Sequence, residues 1–204
     1  MKGSVYTLGY AAVLGSSCAL LLTLAASFTA PYKKANAEAE EALNILLALK
    51  VPLPAKTSAR EVLRIRDENI QEQELGEVTT YVYSPRDAGG KVVGVAMRFS
   101  GPGLWGPIKG FLALEPDMKT IRGITFYEQE ETPGLGGEIV SGWFREQFIG
   151  KTIFDEKGNP GIVISSGGED APNKVDAISG ATLTCEKVQA MLNEAIRSIA
   201  KGKE

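Results

Sequence analysis
The chain of 204 residues contains no histidine. Ser–His nucleophilic catalysis and imidazole-ligated metal sites are therefore excluded. It has only two cysteines, Cys18 and Cys185, far apart and without a C-x-x-C pair. Iron–sulfur clusters and c-type haem are excluded with them. A dinucleotide fingerprint is also missing, because Gly134-x-Gly136-Gly137 lacks the strand–turn–helix setting that such a glycine loop requires. There is no surplus of basic charge: 22 lysines and arginines, Lys2 among them, stand against 25 acidic residues. That balance argues against nucleic acid or an anionic membrane surface as a partner. Internal repeats and low-complexity tracts are absent. If such a chain carries electrons, it has to borrow an organic cofactor to do so.

What the chain does have, at its start, is a long uncharged run. Gly3 to Tyr32 carries no charge and includes Leu20, Leu21, Leu22 and Leu24. It exceeds the roughly 20 apolar residues a helix needs to cross a bilayer. Residues 1–32 read as a retained single-pass anchor in a lipid bilayer. The competing reading is a cleaved signal peptide, with Lys2, an apolar core and small residues ending at Ala30. The length of the run and the lack of charge before Lys33 favour the anchor. Cys18 reads as a helix residue, since Gly15 stands where a lipid-attachment motif prefers Leu. Lys2 on one side nearly balances Lys33 and Lys34 on the other, so charge alone does not set orientation. A short tail before a first span usually stays inside, which places the rest of the chain outside the cytoplasm.

Residues 33–54 read as a stalk helix and linker. Ala39, Leu43, Leu46 and Leu47 fall at helical spacing, continuing the membrane helix or packing on the domain, and Pro52 and Pro54 end it. Ser58 to Arg66 reads as one or two further helical turns with solvated charges. Four strands follow: Val78–Tyr83, Lys91–Phe99, Ile108–Glu115 and Met118–Tyr127. Ser84 to Gly90 turns the first pair into a hairpin, and the four together suggest an antiparallel meander. Glu138–Phe148 reads as a helix, Phe154–Pro160 as a hairpin-type turn, Ile162–Ser165 as a short strand and Ser166–Lys174 as a loop. The last helix spans Leu183–Ala200, with Val188, Met191, Leu192, Ala195, Ile196 and Ile199 on one face. The fold class is α+β: one N-terminal transmembrane helix, then one domain over 55–204 with an antiparallel sheet and flanking helices.

The stretch richest in chemistry lies just before that last helix: Asp176-Ala177-Ile178-Ser179-Gly180-Ala181-Thr182. Backbone N–H groups at a helix start have no intrahelical acceptor, and the helix dipole is positive there. A phosphate is at home at such a terminus. Small Ser179, Gly180 and Ala181 let the backbone approach a bulky group. Alone, the pattern reads as a capped helix after a glycine turn. Two further loops accompany it, Gly103-Leu104-Trp105-Gly106 and Glu131-Thr132-Pro133-Gly134-Leu135-Gly136.

Taken in order, the three motifs resemble the FMN-binding subunits of two related membrane complexes. These are the C subunit of the Na+-translocating NADH:quinone oxidoreductase and the G subunit of the Rnf electron-transport complex. The resemblance is strong from about Gly101 to Thr184, and the Gly103–Gly106 loop is more like the former. It implies one FMN per chain, joined through its phosphate to Thr182 by a separate flavin transferase that reads Asp176, Ser179 and Thr182. Under it, Thr184 and the amides near Leu183 hold phosphate oxygens, with Gly180 and Ala181 close by. Leu104, Trp105 and Leu135 supply walls for the isoalloxazine, and Thr132, Gly134 and Gly136 supply polar contacts. Glu131 orients its loop or accepts a flavin proton. Lys174 stabilises the reduced anion or is merely solvated. Cys185 is a small buried residue rather than a redox thiol.

The resemblance further implies a bacterial cytoplasmic (inner) membrane, a domain on the non-cytoplasmic side, and partners among the other subunits of an electron-transport complex. No metal ligand set and no catalytic residue of its own is expected. Two other functions stay open on residues alone. One is a membrane-tethered binding or assembly module without flavin. The other is a hydrolase using Ser179 with Lys174 as base.

Overall fold
The computed structural model describes residues 2–75, 78–85, 89–167 and 170–201. The chain divides into two compact units, Met1–Ala39 and Glu40–Glu204. The described residues of the first are all helical. They belong to α1, Lys2–Ala48, which runs unbroken from the apolar run into the stretch read as a stalk. Among the described residues this is one helix long and apolar enough to cross a membrane, and its most apolar window has no buried residue.

α1 ends in a left-handed residue ahead of the two prolines. Lys50 has φ 53°. Its N–H donates to Leu47 O at 3.1 Å, and the N–H of Val51 donates to Leu46 O at 2.9 Å. This pair of reversed bonds satisfies carbonyls that a helix end otherwise leaves open. Pro52 and Pro54 thus follow the stop and do not make it. α2, Ala59–Asn69, starts at Ser58, whose hydroxyl accepts from Glu61 N at 3.3 Å.

The second unit is built on a five-stranded antiparallel sheet in chain order. Its strands are β1 Ile70–Leu75, β2 Val78–Tyr83, β3 Gly94–Pro102, β4 Pro107–Leu114 and β5 Ile121–Glu128. The meander expected from sequence is there, with β1 added at one edge. That strand reads IQEQEL, and its four middle residues are exposed. An edge strand paired on one side needs no apolar face, so β1 gives no periodic signal. Residues 86–88 of the expected first hairpin turn lie outside the described residues.

Both faces of the sheet are covered. Met97, Phe99, Leu112, Leu114, Ile124 and Phe126 pack with Val188, Leu192 and Ile196 of the last helix. Tyr81, Ala96, Phe111 and Ala113 pack on the other side against Ala42, Ile45, Leu46 and Leu49 of α1 and Val62 of α2. Burial on both faces explains why β4 reads as a nearly continuous apolar run. Each fully buried Leu or Ile here contributes about 1.5–3 kcal/mol by area. The stalk is thus part of the domain core at its C-terminal end.

The segment 138–148 is not one helix. A 3₁₀ turn, Gly136–Val140, and a short α3, Gly142–Glu146, are separated at Ser141, which is extended (φ −67°, ψ 149°). The Ser141 hydroxyl donates to Glu138 O at 2.6 Å, competing with helix continuation. β6, Val163–Ile164, pairs in parallel with β7, Lys174–Val175, so Lys174 belongs to a strand and not to a loop. Asp155 Oδ1 accepts from the amides of Lys157 and Asn159, forming the expected turn closed by the Phe154–Pro160 bridge. α4, Thr182–Lys201, is the helix read from sequence at Leu183–Ala200.

Candidate functional site
α4 begins at the end of a tight turn. The amide of Ala181 donates to Ile178 O at 3.1 Å, and Gly180 between them has φ 76°. A positive φ at the third turn position is the conformation glycine adopts without strain. A Cβ at Gly180 would also press on Leu135 Cδ2 at 3.0 Å. The first i→i−4 bond of the helix runs from Cys185 N to Ala181 O, at 3.0 Å. The amides of Thr182, Leu183 and Thr184 precede it, in the turn where a helix has donors without internal acceptors. Thr182 is exposed at the head of this turn.

Glu131 ties the three loops together. It is buried, 4% exposed, next to strand β5. Its Oε1 accepts from the amides of Leu104 at 2.7 Å and Trp105 at 3.1 Å. Its Oε2 accepts from the Thr184 hydroxyl at 2.6 Å. Glu131 therefore orients loops, the first of the two roles read from sequence. Its own amide donates to Gln129 Oε1 at 2.7 Å. The loop behind it folds back on Thr132, whose carbonyl accepts from Leu135 at 3.1 Å and Gly137 at 2.9 Å, with Gly134 at φ 75°. Gly103 and Gly136 sit where a side chain would strike Glu131, and at Gly136 also Thr184. The glycines of both loops thus make room for one carboxylate.

Together these segments enclose an open cavity of about 230 Å³. It is lined by Leu104, Trp105, Glu131, Thr132, Leu135, Gly136 and the run Gly180 to Thr184. Leu104, Trp105, Leu135 and Leu183 stand exposed around it, Trp105 at 69%. Most residues singled out from sequence therefore meet in one place. Gly134 lies exposed at the tip of its loop, and Ser179 is exposed in the turn.

Lys174 and Asp176 do not share this cavity. They line a second one of about 420 Å³ with Gln147, Lys151 and Asp170. The Lys174 ammonium donates to Gly167 O, and the Asp176 amide donates to Gln147 Oε1 at 3.0 Å. Nothing in the sequence setting of Gln147 marks it for this contact. Thr184 is also used differently from the sequence reading. Its hydroxyl is committed to Glu131, leaving its backbone amide toward the helix terminus. Cys185 is buried, its Sγ accepting from Ile178 N at 3.4 Å, and burial pushes the thiol up. It is packing, not chemistry. Among the described residues no group of acidic, cysteine or histidine side chains is arranged to hold a metal.

Comparison with known proteins finds similar chains. A family model described as FMN-binding domain matches residues 103–197. The C subunit of the Na+-translocating NADH-quinone reductase of Yersinia pestis is 46% identical over 114 residues, 55% of this chain and 43% of that protein. Its counterpart in Vibrio campbellii is 42% identical over 137 residues, 66% of this chain and 52% of that protein. The chain spans about half the length of these curated relatives. The crystal structure of the corresponding C subunit from Parabacteroides distasonis superposes with a TM-score of 0.72 at 28% identity, covering 84% of this chain and 94% of that one. Three motif loops meet on one helix terminus, inside the matched segment and on the fold of that crystal structure. The segment 103–197 therefore matches the FMN-binding-domain family, and the chain is similar over that segment to the C subunits of Na+-translocating NADH-quinone reductases.

Proposed function
We propose that this chain is a membrane-anchored flavoprotein subunit that relays electrons through FMN bonded covalently to Thr182. The observation that carries the reading is the position of Thr182. It is the first residue of α4, exposed, and lines the cavity that Glu131 holds together.

The residues present fit the cofactor. A phosphate on Thr182 Oγ1 meets the open amides of the helix start and the positive end of its dipole. Gly180 and Ala181 add no bulk beside it. Leu104, Trp105, Leu135 and Leu183 offer apolar surface to a flat ring system, and Thr132 offers a hydroxyl at the rim. The cavity is smaller than the 300–1,000 Å³ typical of enclosing ligand pockets, so a flavin there keeps an edge in solvent. An exposed edge suits a carrier that hands electrons to and from partner subunits. FMN supplies the one- and two-electron chemistry that no side chain of this chain provides. The chain itself binds, orients and partly shields it. No turnover of NADH or quinone is expected from this chain alone.

Attachment is assigned to a separate flavin transferase, with FAD as donor. The Thr182 oxygen forms a bond to the phosphorus of the FMN half, the bridging phosphoanhydride bond breaks, and AMP leaves. Asp176, Ser179 and Thr182 are all exposed within a seven-residue segment, as recognition requires. Residues 1–32 serve as a single-pass anchor in the bacterial cytoplasmic membrane, 33–54 as a stalk, and 55–204 as the domain on the non-cytoplasmic side. The parent complex is a Na+-translocating NADH:quinone oxidoreductase, with an Rnf-type complex as the alternative.

Intact mass tests the cofactor: the purified chain, made together with a transferase, weighs its sequence plus one FMN less water. Thr182→Ala removes the fluorescent band on a denaturing gel. A colourless chain of bare polypeptide mass sinks the reading and leaves the flavin-free assembly module. The hydrolase reading has less support, since Lys174 lines the second cavity and Ser179 lines neither it nor the first.

A further inference from the structure
We infer that the Glu131 carboxylate sets the reduction potential of the flavin, holding it more negative than the same fold would with a neutral side chain there. This rests on the assignment of FMN to the Thr182 cavity. Three observations carry it.

The first is burial. Glu131 is 4% exposed, so water screens its charge poorly. The second is the nature of its partners. Two backbone amides and one hydroxyl donate to it, and both of its oxygens are acceptors, as in a carboxylate. These are dipoles without net charge. Every ion pair among the described residues leaves Glu131 out. The third is isolation. Glu131 is the one charged side chain among the described residues lining the cavity, where no lysine or arginine offsets it. The opposing element is the positive end of α4, worth about half a charge and directed at the phosphate site. A fixed negative charge beside a group that gains electrons disfavours the reduced form. The carboxylate is also locked in place by its three donors, so it cannot swing away when the flavin is reduced.

Glu131 is thus a positioning residue with an electrostatic output. Glu131→Gln keeps the size and the acceptor oxygen but removes the charge; Glu131→Asp keeps the charge. The experiment is a spectroelectrochemical titration of the full-length flavinylated chain in detergent, with intact mass to confirm loading and a melting curve of the flavin-free chain to confirm folding. Glu131→Gln is expected to favour the reduced form at least tenfold, about 30 mV for a two-electron couple. Glu131→Asp is expected to stay near the parent potential. An unmoved or more negative potential in Glu131→Gln overturns the inference, as does an equal shift in Glu131→Asp. If Glu131→Gln does not fold, Thr132→Lys on the exposed cavity rim is expected to raise the potential and Thr132→Asp to lower it; no movement in either overturns it too. A parent chain that carries no FMN defeats the cofactor assignment instead, and its bare mass identifies that outcome.

Discussion
The hydroxyl of Thr184 donates to the buried carboxylate of Glu131 at 2.6 Å, joining the first turn of α4 to a loop 53 positions earlier in the chain. The bond fixes the distance between the helix terminus and the loops that face it. It also supplies Glu131 Oε2 with a donor that no other described residue offers.

Thr184→Val keeps the shape of the side chain and removes that donor. A buried acceptor left without a partner costs about 1–3 kcal/mol. The urea midpoint of the solubilised chain is expected to fall accordingly, and Thr184→Ser to recover most of the loss. A midpoint equal to the parent's in Thr184→Val contradicts the role given to this bond.

Arg122 fastens the end of α1 to the sheet. Its Nε donates to Leu49 O at 2.6 Å, and its Nη1 donates to Val93 O at 3.2 Å and Glu115 Oε2 at 2.8 Å. Arg122→Met retains the aliphatic packing and leaves these carbonyls without their donor. A loss of about 1.5–3 kcal/mol is expected in thermal or urea unfolding. Arg122→Lys recovers only part, because one ammonium cannot span the three acceptors as the guanidinium fork does.

Lys50 terminates α1 with φ 53°, a region in which a side chain is strained. Lys50→Gly is expected to stabilise the domain by up to about 1 kcal/mol, seen as a raised melting temperature. A lowered one shows that the Lys50 side chain has a role outside this backbone turn.

Three aspartates set the acid limit of stability. Burial pushes the Asp117 carboxyl up, but the Thr120 hydroxyl and the amides of Thr120 and Lys119 together hold it below its usual value. The Asn159 side chain, with the amides of Asn159 and Lys157, lowers Asp155, and Lys151 lowers Asp170. A carboxylate depressed in the folded state stabilises it above the unfolded value near 3.9, and that contribution is lost as pH falls through the folded value. The melting temperature is therefore expected to drop as pH is taken below about 4. Asp117→Asn and Asp155→Asn flatten that slope, which a pH series of melting curves measures.

How much of this is readable from sequence differs by element. α4 is, because six apolar residues repeat at helical spacing over its length. β2 is, because Val78 to Tyr83 is a run of valine, threonine and tyrosine, residue types that favour strands. β1 is not: glutamine and glutamate on an exposed edge look like loop. The break at Ser141 is hidden because Ile139, Phe144 and Phe148 do face inward, and apolar spacing does not report a local hydroxyl bond. The pairing of β6 with β7 involves two residues from each, too few for any period. At the site, residue identity points to the loops, since Gly103, Gly136 and Glu131 stand in recognisable patterns. What identity does not give is direction. Thr184 turns toward Glu131, and Lys174 with Asp176 faces another cavity, because both depend on contacts between segments distant in the chain.

Strand order equal to chain order has its own consequence. Each of β2 to β5 pairs with the strand made just before it, so the sheet can grow by successive neighbouring hairpins with little loop-closure entropy. α4 has no such neighbour, and it must return across the chain to reach β3 and the Glu131 loop. Docking of that helix is then expected to be a late event of folding. Under the attachment proposed above, Thr182 is presented properly only on a finished molecule, so a yellow chain would double as a record of how much of the preparation reached its native form.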